Sequence, residues 1–125
     1  MEGIQKIITI SQNDVDKYAD LTGDYNPIHF DKEFAATTNF KKPIVHGPLL
    51  LIKSTTFFAN DFPGPGTVYL SHDYKFLKPV YVDENLFIEI NLMSQNEKGH
   101  LFVSTKCYND ERHLLFDGVA RLKKY

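Results

Sequence analysis

The spacing of apolar residues changes its period partway along the chain, at the turn-rich segment Asp61–Gly66. Beyond it, apolar and polar residues alternate. Val68, Leu70, His72, Tyr74 and Phe76 fall on one strand face, and Leu86, Ile88, Ile90 and Leu92 on a face of the next. Leu101, Val103, Thr105 and Cys107 alternate after the turn Asn96–Gly99, and Leu114, Phe116, Gly118, Ala120 and Leu122 after Asn109–Arg112. A period of two puts alternate side chains on one side of a sheet. Short turns between successive strands imply antiparallel pairing. The outward set includes Tyr69, Leu77, Phe87, Phe102 and Tyr108, an apolar excess that leans toward a dimer.

The first half reads as mostly helical. Lys6–Ile10 makes a short strand. Ser11, with Asp14 three residues on, marks a helix start, because a hydroxyl accepts from an unpaired first-turn N–H and an acid suits the helix dipole there. The helix runs from about Gln12 to Leu21 and stops at Gly23. Asp24–Phe30 is a loop stiffened by Asn26-Pro27. Asp31 caps a second short helix through Lys32, Phe34 and Ala36. A third helix begins at Pro48, just after Gly47, and reaches about Ala59. Leu49, Leu50, Leu51, Ile52, Phe57 and Phe58 cover most of its circumference, so it belongs in a core. One buried helix against an antiparallel sheet of about five strands is an α+β arrangement.

Composition narrows the class. A chain of 125 residues, 42% hydrophobic and 24% charged, suits one globular domain over residues 1–125. A net charge of -2 argues against a broad nucleic-acid footprint. The single cysteine, Cys107, leaves no disulfide within the chain, which fits a reducing compartment. The longest apolar run, Pro48–Ile52, is too short to span a bilayer, so no membrane insertion is expected. A cytoplasmic protein is the simplest reading, with a mitochondrial matrix origin left open.

The sharpest chemical feature is a carboxylate and an imidazole, Asp24 and His29, on one short proline-stiffened loop. Such a loop can hold an acid–base pair within reach of one water. Asn26 lies between them and can orient either. The same spacing also fits a plain aspartate turn with an ordinary histidine. His46-Gly47-Pro48 sets an unpaired glycine N–H at a helix N-terminus, where a carbonyl oxygen gaining negative charge is stabilised. Alone, it fits a simple helix start better. Ser54 and Thr55 are hydroxyls on the same helix. Lys41, Lys42 and Lys53 are candidates to meet phosphates. No metal site is expected, because the five histidines are spread widely along the chain.

The run Leu21-Thr22-Gly23-Asp24-Tyr25-Asn26-Pro27-Ile28-His29, its spacing to Ile44-Val45-His46-Gly47, and Tyr74-Lys75-Phe76-Leu77-Lys78-Pro79-Val80 together resemble the MaoC-like dehydratase family, and within it the (R)-specific enoyl-CoA hydratases. The resemblance covers about Ile10 to Leu122. It implies a hot-dog fold, a long buried helix wrapped by the sheet, and a homodimer with acyl thioester bound near the interface. It implies catalytic roles for Asp24 and His29, a supporting role for Asn26, and a Gly47 N–H that binds the thioester carbonyl. Thr55 and His46 are candidate substrate contacts. Pro48, where a larger apolar residue is common in the family, removes any second backbone donor.

The implied reaction is reversible hydration of a trans-2-enoyl-CoA to an (R)-3-hydroxyacyl-CoA, a carbon–oxygen lyase step of fatty acid metabolism. Its substrate is an acyl-CoA or acyl-carrier-protein thioester. No cofactor is expected, since coenzyme A would be part of the substrate. A hot-dog acyl-thioesterase, a 3-hydroxyacyl-carrier-protein dehydratase and a non-catalytic thioester-binding domain are the rival readings.

Overall fold

The computed structural model describes residues 2–125. In chain order the elements are β1 (Gly3–Ile8), α1 (Gln12–Thr22), a 3-10 turn (Pro27–His29), α2 (Lys32–Ala36), α3 (Gly47–Asn60), β2 (Thr67–Phe76), β3 (Leu86–Gln95), β4 (His100–Tyr108) and β5 (Leu114–Lys124). The five strands form one sheet, ordered β1-β3-β4-β5-β2 and antiparallel throughout. α3 lies on one face of it, giving the expected hot-dog arrangement.

Local chemistry explains the helix ends. The Ser11 hydroxyl accepts from the Asp14 N–H at 3.1 Å, and the Asp14 carboxylate accepts from the Ser11 N–H at 3.0 Å. Ser11 thereby also holds Asp14 below the usual carboxylate range. Gly23 closes α1 at φ 80°, donating to the Ala19 carbonyl at 2.7 Å. A left-handed residue here turns the chain sharply into the Asp24 loop. Asp31 caps α2 through the N–H groups of Glu33 and Phe34.

The core lies between α3 and the sheet. Leu50 and Phe58 of α3 share one buried cluster with Ile88, Ile90, Val103, Phe116 and Leu122. Truncating a residue such as Leu50 to alanine costs about 2–5 kcal/mol in a well-packed core. The burial of α3 is less complete than its composition predicts. Ile52 is 49% exposed. Lys53 extends to Asp14 at 3.7 Å, which ties α3 to the start of α1.

Four details of the sequence reading change. The first strand is Gly3–Ile8 rather than Lys6–Ile10, because its partner residues on β3 run from Leu86 to Asn91 and Ile10 has already turned away toward the cap. β2 does not pair with its successor β3; it crosses to the far edge and pairs with β5. A register shift between Tyr69 and Ser71 breaks the even alternation in β2, since an extra residue flips the faces beyond it. Tyr69, assigned outward by alternation, therefore shares the inner face with His72, Tyr74 and Phe76, and lies 5.9 Å ring to ring from Phe58. Finally, β5 has a similar irregularity opposite Tyr108, so Leu115 and Phe116 are both buried.

Candidate active site

Asp24, His29 and His46 converge from two segments. The Asp24–Phe30 loop contains a single 3-10 turn, capped by the Asn26 side chain accepting from the Ile28 N–H at 3.2 Å. Pro27 opens the turn, where its fixed φ suits a helical first position. The Asn26 side chain therefore does not reach the carboxylate or the imidazole. Its backbone reaches both ends instead. The Asn26 N–H donates to Asp24 Oδ1 at 3.3 Å, and its carbonyl accepts from the His29 N–H at 3.0 Å.

Ile44 clamps the other side of this turn. Its N–H donates to the Ile28 carbonyl at 3.1 Å. Its carbonyl accepts from His29 Nδ1 at 2.8 Å. A carbonyl can only accept, so Nδ1 carries the proton and Nε2 keeps a lone pair. The His29 ring is half-buried, while the Asp24 side chain is 44% exposed.

His46 sits beneath them, 1% exposed. Its Nε2 donates to the Asp24 backbone carbonyl at 3.1 Å, and Asp24 Oδ2 lies 3.9 Å away. Its ring stacks on His29 with centroids 3.7 Å apart and an interplanar angle of 27°. Tyr18 of α1 covers it at 4.7 Å. Burial holds His46 below its ordinary value of 6.5, the Asp24 carbonyl opposes this, and the His29 charge adds to the lowering. It is nonetheless one of the residues lining the apolar cavity that opens beside Gly47.

Gly47 begins α3, so its N–H has no partner within the helix. No loop carbonyl takes it among the described residues. It lines a cavity of about 320 Å³ together with Phe40, Val45, Leu50, Phe76 and Val80. A second cavity of about 370 Å³ has His29 in its wall, with Lys32, Lys41 and Lys42 around it. Ile44 lines both. Lys42 is held over the Tyr81 ring at 4.5 Å, and the Tyr81 hydroxyl donates to the Phe40 carbonyl.

Other expected residues stay apart. Thr55 lines neither cavity. The Ser54 hydroxyl donates to the Leu50 carbonyl at 2.8 Å, an internal helix bond. Lys53 is engaged by Asp14 rather than free for a phosphate. The thiol of Cys107 is pushed up to about 12 by burial, so it is no nucleophile.

The ground for expecting no metal also changes. His29 and His46, distant in sequence, are stacked in space, and one ligand atom from each and from Asp24 lie within 4.8 Å of one another. Within this group His46 Nε2 is committed to the Asp24 carbonyl, whereas His46 Nδ1 is buried without a partner among the described residues.

A half-open acid–base pair beside a free helix-start N–H, on a hot-dog scaffold, defines a thioester-processing class. The MaoC-like domain model matches residues 3–110, and the chain belongs to that family. It is 34% identical over 111 residues to an (R)-specific enoyl-CoA hydratase of Aeromonas caviae, covering 88% of this chain and 83% of that protein. It is 32% identical over 114 residues to a mitochondrial 3-hydroxyacyl-[acyl-carrier-protein] dehydratase of Arabidopsis thaliana, covering 88% and 68%. The solved (R)-hydratase of A. caviae involved in PHA biosynthesis superposes with a TM-score of 0.93 at 30% identity, over 99% of this chain and 95% of that one. The unliganded R-hydratase of Pseudomonas aeruginosa gives 0.90 at 31%, over 98% and 79%.

Proposed function

We propose that this chain is an (R)-specific enoyl-CoA hydratase, acting reversibly as a 3-hydroxyacyl-CoA dehydratase. The observation that carries the reading is the free lone pair of His29 Nε2. Its tautomer is set by the Ile44 carbonyl, and it lies beside the Asp24 carboxylate. Together these groups grip one water. As the water's O–H bond breaks, the dyad takes the proton, the hydroxide oxygen bonds to C3 of the enoyl thioester, and the dyad returns a proton to C2. The C2–C3 π pair meanwhile passes through an enolate whose negative oxygen faces the Gly47 N–H. Such a donor acts mainly on the transition state, where the charge develops.

The apolar cavity beside Gly47 suits the acyl chain. The lysines around the cavity beside His29 suit the phosphates of a thioester carrier, for which coenzyme A is the reading adopted. No additional cofactor takes part, because the two side chains and one backbone donor account for every proton and charge in the step. Residues 1–125 act as one MaoC-like unit.

The working form is a homodimer joined along β2. This strand ends the sheet, and its inner-face residues Tyr69, Tyr74 and Phe76 are 45%, 39% and 43% exposed in the single chain. A partner strand would cover them and remove an unpaired edge. No helix of the described residues is long and apolar enough to cross a membrane.

The test is to mix pure protein with crotonyl-CoA and follow enoyl absorbance alongside free thiol. Loss of absorbance without thiol release, with the (R)-alcohol as product, is expected. Thiol release without hydration refutes the reading in favour of a thioesterase.

A further inference from the structure

His46 is the most enclosed polar group of the site, and the hydration step makes no use of it. Its two nitrogens have different fates. Nε2 donates to the Asp24 carbonyl. Nδ1 is buried and meets no hydrogen-bond partner among the described residues. A buried acceptor left unpaired loses the hydrogen bonds water gave it. The alternative, a buried N–H on a charged ring, costs more. The ring is therefore neutral, with its proton on Nε2.

That neutral ring faces His29 almost in parallel. Two imidazoles at this separation cannot both be charged without strong repulsion. His46 has no acceptor for a second proton. His29 has a carbonyl for its Nδ1–H and a free Nε2. A neutral aromatic face also attracts a cation lying over it. The titratable groups around the stack are Tyr18 from α1, Asp24 from the loop, and Lys32, Lys41, Lys42 and Tyr81 around the cavity beside His29. None but Asp24 brings negative charge at neutral pH, and its side chain is partly exposed.

We propose that His46 is a positioning residue with two separable actions: its Nε2–H suspends the Asp24 loop from the start of α3, and its uncharged ring makes His29 the seat of the dyad's mobile proton. The proposal rests on the hydratase reading and goes beyond it by dividing the roles within the pair. The burial that lowers His46 supports the same division.

Two variants separate the actions. H46F keeps an aromatic face and loses the donor. H46Q keeps a donor near the Nε2 position and loses the ring. With H46F, kcat on crotonyl-CoA is expected to fall about 10- to 100-fold through a misplaced carboxylate, with KM little changed and the acid limb of the kcat/KM profile in place. With H46Q, kcat falls less, but the acid limb moves down by about 0.5–1 pH unit as the imidazolium loses its stacking partner. A purely structural role would move stability in both and the limb in neither, which overturns the proposal.

A second measurement does not depend on activity or on the variants folding. In the 15N-labelled wild-type protein, His46 is expected to keep the neutral Nε2–H signature from pH 5 to 8. Protonation of His46 across that range overturns the proposal. Failure of wild-type protein to hydrate crotonyl-CoA refutes the hydratase reading alone, and the nitrogen spectra still decide where the proton sits.

Discussion

Phe76 closes over Gly47: a Cβ built on the glycine would stand 3.0 Å from both Cε2 and Cζ of the ring. β2 thus meets the first turn of α3 at the residue whose N–H faces the cavity. The glycine serves two ends here, close approach of an aromatic ring and access to a backbone donor.

G47A is therefore expected to push the ring and the helix start apart and turn the N–H off line. Loss of one such donor costs about 100- to 1000-fold in kcat, and a displaced one somewhat less. Adding F76L to G47A should recover part of the loss by making room. Steady-state kinetics on crotonyl-CoA check both. No recovery in the double variant would mean that Phe76 does not set the position of the donor.

D24N and H29A each remove one hand from the water. General acid–base groups contribute about 100- to 10,000-fold, so kcat should fall by that order in each. The double variant should lose far less than the product of the two, because the pair acts as a unit. Both sites are partly exposed, and melting temperatures should change little. Full activity in either variant would remove the dyad from its assigned place.

N26A deletes the cap of the 3-10 turn while leaving the Asn26 backbone bonds to Asp24 and His29 available. Loss of a side-chain cap costs about 1 kcal/mol. Urea unfolding should show that decrease. The kcat should fall by less than in D24N or H29A, since the turn loosens but keeps both groups. A loss as large as theirs would point to direct contact between the Asn26 side chain and the reacting atoms.

Acid sensitivity should arise at a site remote from the dyad. His72 bridges the Tyr69 hydroxyl at 2.6 Å and the Thr105 hydroxyl at 2.8 Å, and burial lowers it from 6.5 to about 4. The unfolded chain binds a proton there below about 6.5 and the folded chain does not, so stability is complete above that pH and is lost as pH falls toward about 4. His46 acts in the same direction. H72N should flatten part of the fall in melting temperature between pH 6.5 and 4. An unchanged slope would show that the acid loss lies elsewhere.

The site was more legible in the sequence than the sheet was. Asp24, Asn26, Pro27 and His29 lie within one short loop, so residue spacing carries most of their geometry. The Gly-Pro order at positions 47 and 48 announces a helix start for reasons local to the backbone. The burial of His46 under His29 was not legible, because it follows from how Tyr18 and α3 pack. In β2 the alternation failed at the register shift after Tyr69, a feature no hydrophobic count reveals. The crossing of β2 to the edge beside β5 was hidden too, because the segment between β2 and β3 does not state which neighbour each strand takes.

Ile44 carries a different kind of lesson. Its main-chain carbonyl selects the tautomer of His29, while the residue lies in the walls of both cavities. The first task belongs to an atom that every residue type possesses. Substitution at position 44 can therefore reshape the space offered to substrate without taking away the acceptor that prepares the imidazole. An engineer could randomise this position for altered acyl preference and expect the surviving library to remain active.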